Sequence, residues 1–146
     1  MGVLTIRPLT AADHDAWRPL WEGYQRFYKT VIAPEVTAIT WRRLLDPAEP
    51  VHGLGAETDG QLVGITHYLF HRSTWTVGDY CYLQDLFVAE AARGLGAGRA
   101  LIEGVSAAAE AAGASRVYWL TAEDNHAARA LYDKVARYSG FIQYRR

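Results

Sequence analysis

The chain has 146 residues, 50% of them hydrophobic and 21% charged, with a formal net charge of −1. This length suits one domain, residues 1–146, with a core that needs neither disulfide nor metal. Near-neutral charge without charged blocks argues against nucleic acid or an anionic membrane surface as a partner. The single cysteine, Cys81, cannot form an internal disulfide, and no apolar run approaches the length of a membrane span. Because the N-terminus also lacks a signal-peptide pattern, a cytoplasmic protein is expected.

The N-terminal segment predicts a strand followed by a helix with an aromatic face. A β-branched run favours a strand over residues 3–8, and Thr10 is placed to cap a helix running to about residue 28. Asp13 lies at the right offset to be the acidic partner in the first turn, and Pro19 should kink or break the helix. Four aromatic residues at spacings of four, three and four line one face: Trp17, Trp21, Tyr24 and Tyr28.

The middle of the chain predicts a second helix and then three strands. The helix should follow Pro34, cover residues 35–45 and stop before Asp46. Alternation with a period of two follows over residues 51–58 and 61–72, joined by Asp59-Gly60, a pair typical of a β-hairpin turn. The third strand covers residues 79–88.

The second half predicts strands that alternate with helices. After a glycine-rich stretch, a helix is expected over residues 99–113, with Gly113 as its C-cap. Residues 115–123 form a strongly β-forming run, expected to be a buried strand. A helix over residues 125–138 and a last strand over residues 141–146 should follow. The inner side of that helix is expected to carry Ala127, Ala130, Leu131 and Val135. This order predicts an α/β fold with a mixed sheet, antiparallel in its first half and joined by helical crossovers in its second.

Three glycines, Gly94, Gly96 and Gly98, lie between a predicted strand and a predicted helix. A helix N-terminus presents unpaired N–H groups, its dipole favours anions, and glycines let a phosphate come close. The P-loop pattern does not fit, because Gly98 is followed by Arg99 and not by lysine. The dinucleotide pattern fails as well, since its last glycine position, counted from Gly94, is Arg99. A phosphate site of another class is therefore predicted.

The spacing Arg93-x-x-Gly96-x-Gly98 resembles a signature of the GNAT N-acetyltransferases. Residues 125–132 resemble a second signature of that family, through Asn125, Ala127, Ala130, Leu131 and Tyr132. Residues 83–88 are similar to the family's fourth strand, and the order of elements agrees from the first strand to the last helix. The resemblance implies a GNAT fold with helices on both faces of the sheet and with the fourth and fifth strands splayed apart.

The resemblance also implies acetyl-coenzyme A as donor and a primary amine as acceptor, reacting directly in a ternary complex without an acyl-enzyme. Tyr132 would protonate the departing thiolate, and Asn125 would hydrogen-bond the donor near its pantetheine arm. An N–H near Phe87 or Val88 would polarise the thioester carbonyl. The backbone expected to pair with the arm is that of Leu86, Phe87 and Val88. The N–H groups expected to cradle the pyrophosphate are those of Arg93, Gly94, Leu95, Gly96, Ala97, Gly98 and Arg99.

The acceptor must lose a proton before it attacks. An alkylammonium is neutral only about once in 2,500 molecules at pH 7, so the free amine costs roughly 4–5 kcal/mol without help. Asp85, beside the expected thioester site, is the first candidate base, with Glu123 and Glu22 as weaker ones. An equal alternative is that Asp85 only attracts the ammonium or pairs with an arginine.

The predicted aromatic face has two interpretations. Core packing is the simpler one, whereas in this family the first two helices wall the acceptor site, where aromatic rings would hold an ammonium. The acceptor-site candidates are therefore Trp21, Glu22, Tyr24 and Tyr28. His67 and His71 should share a strand face, but without a third ligand no metal is expected.

The C-terminal region resembles the small histone/polyamine acetyltransferases of the superfamily, which pair C-terminal strands across a dimer. This similarity predicts a homodimer through residues 141–146. The sequence does not choose the acceptor among a polyamine, an amino-acid-like small molecule, an aminoglycoside and a protein lysine, and this similarity slightly favours a polyamine or a lysine side chain. The alternative function is a non-catalytic domain that binds coenzyme A as a sensor or structural ligand. A nucleotide-binding module is disfavoured by the missing lysine after the glycines.

Overall fold

The computed structural model describes residues 2–146 as one five-stranded sheet with helices on both faces. The strands run in the spatial order β1-β2-β3-β4-β5, antiparallel except for the last pair, which is parallel. This confirms the expected mixed sheet. The elements are β1 (Thr5–Pro8), α1 (His14–Phe27), α2 (Pro34–Leu45), β2 (Val51–Thr58), β3 (Gln61–His71), β4 (Tyr80–Val88), α3 (Ala97–Ala111), β5 (Arg116–Tyr118) and α4 (His126–Val135).

Two apolar cores lie on opposite faces of the sheet. α1 and α2 pack on one face around the fully buried Trp17 and its neighbours Trp21 and Trp41. On the other face, α3 buries Leu101 and Val105 against the sheet, and one side of α4 joins them. Burying each of these large apolar side chains stabilises the fold by about 1.5–3 kcal/mol.

The start of α1 is fixed by a charged cap. The backbone N–H of Thr10 donates to Oδ2 of Asp13 at 2.7 Å, completing the expected capping box. Arg7 of β1 donates two hydrogen bonds to the same carboxylate, and this lowers the pKa of Asp13 to about 2. α1 then continues through Pro19, so the helix is not broken there. Pro19 and Asp15 lie on the exposed side, where water can bond the carbonyl that the proline leaves free.

The β2–β3 hairpin turns at the expected residues. Asp59 and Gly60 have φ angles of 51° and 74°, the left-handed pair that a tight two-residue hairpin needs.

Three expectations for the second half are wrong. The strand predicted over residues 115–123 pairs only at Arg116–Tyr118 and is half-buried, because β4 bends away beyond that point. Residues 141–146 form no strand in this chain: they are exposed and pair with none of the five strands of the sheet. On α4, Ala127 and Ala130 are exposed, and the partly buried side carries Leu131, Tyr132 and Val135. Small alanines on both sides of this helix do not define which side faces inward.

Candidate active site

The sheet opens between β4 and β5. Their pairing ends at Tyr82 and Tyr118, although β4 continues to Val88. On its other edge β4 carries a bulge: Leu83 pairs with Tyr68 and Asp85 with His67, which leaves Gln84 without a partner. A bulge bends its strand and increases the local twist. The bend leaves the β5-facing edge of residues 84–88 outside any pairing with β5, the splay that the GNAT resemblance implies.

The glycine loop at the end of β4 forms a run of unpaired N–H groups. Gly94 and Gly96 have left-handed φ angles of 86° and 82°, and Gly96 is the N-cap of α3. Within residues 2–146, no acceptor takes the N–H groups of residues 94–99; the first bonded one is that of Ala100, to the Gly96 carbonyl. Such a loop at a helix N-terminus is suited to bind a pyrophosphate. The N–H of Arg93, also expected there, instead donates to the Glu90 carbonyl at 3.2 Å.

Tyr132 and Asn125 bring α4 to the same region. The Tyr132 ring lies edge-on to Trp119, 5.5 Å between centroids, and its hydroxyl has no hydrogen-bond partner among the described residues. Burial, together with the nearby Tyr28 hydroxyl, raises the pKa of Tyr132 above its usual value of 10. Asn125 is the N-cap of α4: its Oδ1 accepts from the Ala128 N–H at 3.3 Å, which leaves its amide N–H₂ available as a donor.

Asp85 makes two polar contacts with β3, one through its side chain and one through its backbone carbonyl. Its Oδ2 lies 2.9 Å from Nδ1 of His67, and its backbone carbonyl accepts a 2.8 Å hydrogen bond from the Thr66 hydroxyl. The carboxylate also faces the α1 tyrosines. Burial first, and then the negative charge of Asp85, raises the pKa of Tyr24 and of Tyr28.

The aromatic side chains of α1 form a continuous stack, as their spacing predicts. Centroid distances are 5.9 Å from Trp17 to Trp21, 5.3 Å from Trp21 to Tyr24 and 4.9 Å from Tyr24 to Tyr28. The buried end belongs to the core, and the other end faces Asp85. Core packing therefore accounts for the buried half of the stripe, and the acceptor-site interpretation stays a prediction for the other half.

A cavity of about 200 Å³ lies between this stack, α2 and the sheet. Its side-chain lining is largely apolar, with Asp85 as the one carboxylate. The lining includes Trp21, Thr40, Leu44, Val51, His67, Leu69, Gln84 and Asp85.

The remaining candidates lie elsewhere. Glu22 and Glu123 are exposed, and the carbonyl of Glu123 accepts a hydrogen bond from Arg129. His71 bonds Tyr118 at 2.6 Å, far along β3 from His67. Residues 2–146 contain no group of three or more His, Cys, Asp and Glu side chains placed to hold a metal ion.

Sequence reasoning missed the contact between His67 and Asp85. The sequence predicts the strand that contains each residue. Their pairing, however, depends on the bulge at Gln84, which shifts the register of the two strands by one residue. The only signal is that both lie in runs of alternating hydrophobicity that should be neighbours.

Comparisons with known proteins agree with this geometry. A model of the acetyltransferase (GNAT) family matches residues 14–136. The D-amino-acid N-acetyltransferase HPA3 of Saccharomyces cerevisiae is 41% identical over 145 residues, covering 98% of this chain and 90% of that protein. The uncharacterized N-acetyltransferase YhfO of Bacillus subtilis is 29% identical over 143 residues, covering 97% of this chain and 95% of that one.

A solved structure shows the same fold. AAC(6′)-Iy, in complex with a bisubstrate analogue of CoA and acetylneamine, superposes with a TM-score of 0.86 at 16% identity, covering 99% of this chain and 97% of that one.

The chain belongs to the GNAT acetyltransferase family. It is an acyl-CoA-dependent N-acetyltransferase that uses acetyl-coenzyme A as donor. The run of unpaired N–H groups over residues 94–99 fits the pyrophosphate of that donor. None of the helices within residues 2–146 is both long and apolar enough to span a membrane.

Proposed function

We propose that this enzyme acetylates the amino group of a small, amino-acid-like acceptor. The observation that carries the proposal is the position of Asp85, a carboxylate beside the opening of the sheet, on a largely apolar cavity that Trp21 of the aromatic stack also lines. An ammonium is attracted both by the carboxylate and by the aromatic faces around it. The yeast relative named for D-amino acids supports an amino-acid-like acceptor. A polyamine, with several cations, matches a lining with one carboxylate less well.

The donor would be held by backbone groups. The N–H groups of residues 94–99 would bind its pyrophosphate. The edge of Leu86, Phe87 and Val88, which does not pair with β5, would pair with its pantetheine arm once the Val88 carbonyl exchanges its hydrogen bond from Arg93. Asn125 would donate its amide N–H₂ to the arm. Bound in this way, acetyl-coenzyme A supplies an activated acyl thioester at the opening of the sheet.

Two side chains would manage the protons. Asp85 would bind the ammonium and take up its proton, directly or through water, as the neutral amine attacks. Tyr132 would donate a proton to the departing thiolate. Because its pKa is raised above 10, this hydroxyl is protonated at neutral pH, as a proton donor must be.

A homodimer would complete the molecule. The segment after α4 is exposed in this chain and rich in β-forming side chains, which supports pairing with a second copy. Its exposed apolar residues are Tyr138, Phe141, Ile142 and Tyr144.

The test is thiol release from acetyl-coenzyme A against D- and L-amino acids, spermidine and a lysine peptide. Tyr132→Phe should lower kcat roughly tenfold or more, because it removes the proton donor. Tyr80→Phe, a tyrosine at the start of β4, is the matched control and should keep wild-type kcat.

Asp85→Asn should raise the KM for the amine and lower kcat without changing the KM for acetyl-coenzyme A. Its deficit should shrink as the pH rises towards the pKa of the free amine, because the solution then supplies the neutral form. Release with spermidine alone would reassign the acceptor. No release with any amine, despite thermal stabilisation by coenzyme A, would favour the non-catalytic binding domain.

A further inference from the structure

His67 is a buried histidine with both ring nitrogens engaged. Its side chain is 3% exposed, between Trp17 of α1 and Asp85 of β4. The Trp17 indole N–H donates to Nε2 at 3.0 Å, and Nδ1 lies 2.9 Å from Oδ2 of Asp85. Trp17 itself is completely buried, so the three side chains form a chain of hydrogen bonds from the core to the cavity.

The donors and acceptors in this chain allow one protonation state of the ring. An indole N–H can only donate, so Nε2 must carry a lone pair and not a proton. The ring proton is therefore on Nδ1, where it points at the Asp85 carboxylate. A doubly protonated ring would set two N–H donors against each other inside the core, at the full cost of an unsatisfied buried donor. His67 is thus a neutral hydrogen-bond donor to Asp85.

We propose that His67, locked in its Nδ1–H form by Trp17, is a positioning residue that aims the Asp85 carboxylate at the acceptor amine and leaves its negative charge uncompensated. The proposal rests on the acceptor role of Asp85 given above and adds what makes that role possible. Within residues 2–146, no arginine or lysine lies within 4.0 Å of Asp85, so its contact with His67 is a bond to a neutral partner. An arginine in place of His67 would orient the carboxylate equally well but would cancel the charge that attracts the ammonium.

The backbone of β4 supports the same orientation. The bulge at Gln84 places Asp85 directly opposite His67, and the Thr66 hydroxyl fixes the Asp85 carbonyl. One oxygen of the carboxylate is then tied to β3, while the cavity reaches the residue beside it. A carboxylate held in this way is already ordered, so binding of the acceptor costs no further side-chain entropy at Asp85.

Kinetics separate this role from a purely structural one. His67→Leu keeps the volume and removes the donor, so kcat/KM for the amine should fall roughly ten- to a hundredfold, with the KM for acetyl-coenzyme A unchanged. His67→Asn keeps an N–H donor near the position of Nδ1 and should recover most of the loss. In the Asp85→Asn background, His67→Leu should cost nothing further, because His67 acts only through that carboxylate. Trp41→Phe, which alters a neighbouring buried indole without touching His67, is the packing control.

The state of the ring is measured without any activity. Nitrogen-15 NMR of the imidazole side chains at pH 7 should show His67 as the neutral Nδ1–H form. The chain has five histidines, so the His67 signals are those missing from His67→Asn. In Trp17→Phe nothing holds Nε2 as an acceptor, so a ring that carries a proton on Nε2 and still donates from Nδ1 to Asp85 should appear.

The outcomes distinguish this inference from the proposed function. An Nε2–H or doubly protonated ring in the wild type would overturn the positioning role, whatever the enzyme acetylates. So would equal losses for the amine and for acetyl-coenzyme A in His67→Leu, or losses that add to those of Asp85→Asn. If Asp85→Asn itself kept full activity, the acceptor role of Asp85 would fail, even with the ring in the expected form.

Discussion

At the scale of single residues, the proposed reaction needs one group that acts without its proton and one group that donates a proton. In the proposed mechanism, Asp85 would attract the ammonium as a carboxylate, whereas Tyr132 would keep its proton until a thiolate leaves. Burial favours the neutral form of a phenol, so it serves Tyr132 directly by raising its pKa. The 2.9 Å contact between Nδ1 of His67 and Oδ2 of Asp85 orients the carboxylate. The proposed site therefore combines a phenol that keeps its proton with a carboxylate that a neighbouring imidazole orients.

Cys81 tests whether the transfer is direct. Its thiol is completely buried on the α3 side of β4, and burial raises its pKa to about 11. At pH 7 to 9 the thiol stays protonated, so it should neither attack a thioester nor react with iodoacetamide. We expect Cys81→Ala to keep wild-type kcat and the native thiol to be alkylated only after denaturation.

Intact-mass spectrometry after mixing with acetyl-coenzyme A alone is the measurement for the wild type. An acetylated chain that loses its label in Cys81→Ala would contradict direct attack and point to a covalent intermediate.

At the scale of elements, the backbone conformation of the glycine loop is expected to determine how tightly coenzyme A binds. Gly96 adopts a left-handed φ of 82° at the N-cap of α3, where a side chain costs about 1–2 kcal/mol. Gly96→Ala should therefore weaken coenzyme A binding, measured by titration calorimetry, because the loop must rearrange and turn its N–H groups away. Gly98 lies inside α3, and a Cβ there would meet Leu131 at an ordinary 3.5 Å. Gly98→Ala should lose less affinity than Gly96→Ala.

Gly113 provides the control for backbone strain. It has a left-handed φ of 75° at the other end of α3. Gly113→Ala should lower the melting temperature as much as Gly96→Ala, yet leave the Kd for coenzyme A unchanged. Equal weakening in both variants would show that general instability, and not the loop, accounts for the loss.

Elements with a strong local signal could be predicted from the sequence, and those defined by a distant partner could not. The hairpin at Asp59-Gly60, the helix from Pro34 and the aromatic stack of α1 each follow from a turn pair, a proline or a spacing. The length of β5 depends instead on where β4 bends, and nothing in residues 115–123 encodes that bend. The candidate site divides in the same way. The glycine loop can be recognised in the sequence itself. The contact of His67 with Asp85 depends on the register between β3 and β4, which the sequence does not reveal.

At the scale of the whole molecule, the two faces of the sheet are suited to different substrates, one to the acceptor and the other to the donor. α1 and α2 with their aromatic core border the cavity proposed for the acceptor, and the α3 face presents the loop suited to the donor. The two meet only at the opening between β4 and β5, where the thioester and the amine would come together. Separate access from the two sides is what a ternary complex requires.

The segment after α4 leads to a prediction for the whole assembly. Phe141 and Ile142 are 83% and 71% exposed, an unfavourable arrangement for a strongly β-forming run unless a second copy covers it. We expect the wild type to sediment as a dimer at tens of micromolar, and the double variant Phe141→Asp, Ile142→Asp to sediment as a monomer, because charges would be buried in the pairing. Val3→Asp changes an equally exposed apolar residue before β1 and should stay dimeric. A wild type that is monomeric at these concentrations would refute the dimer, and a dimeric double variant would place its interface elsewhere on the surface.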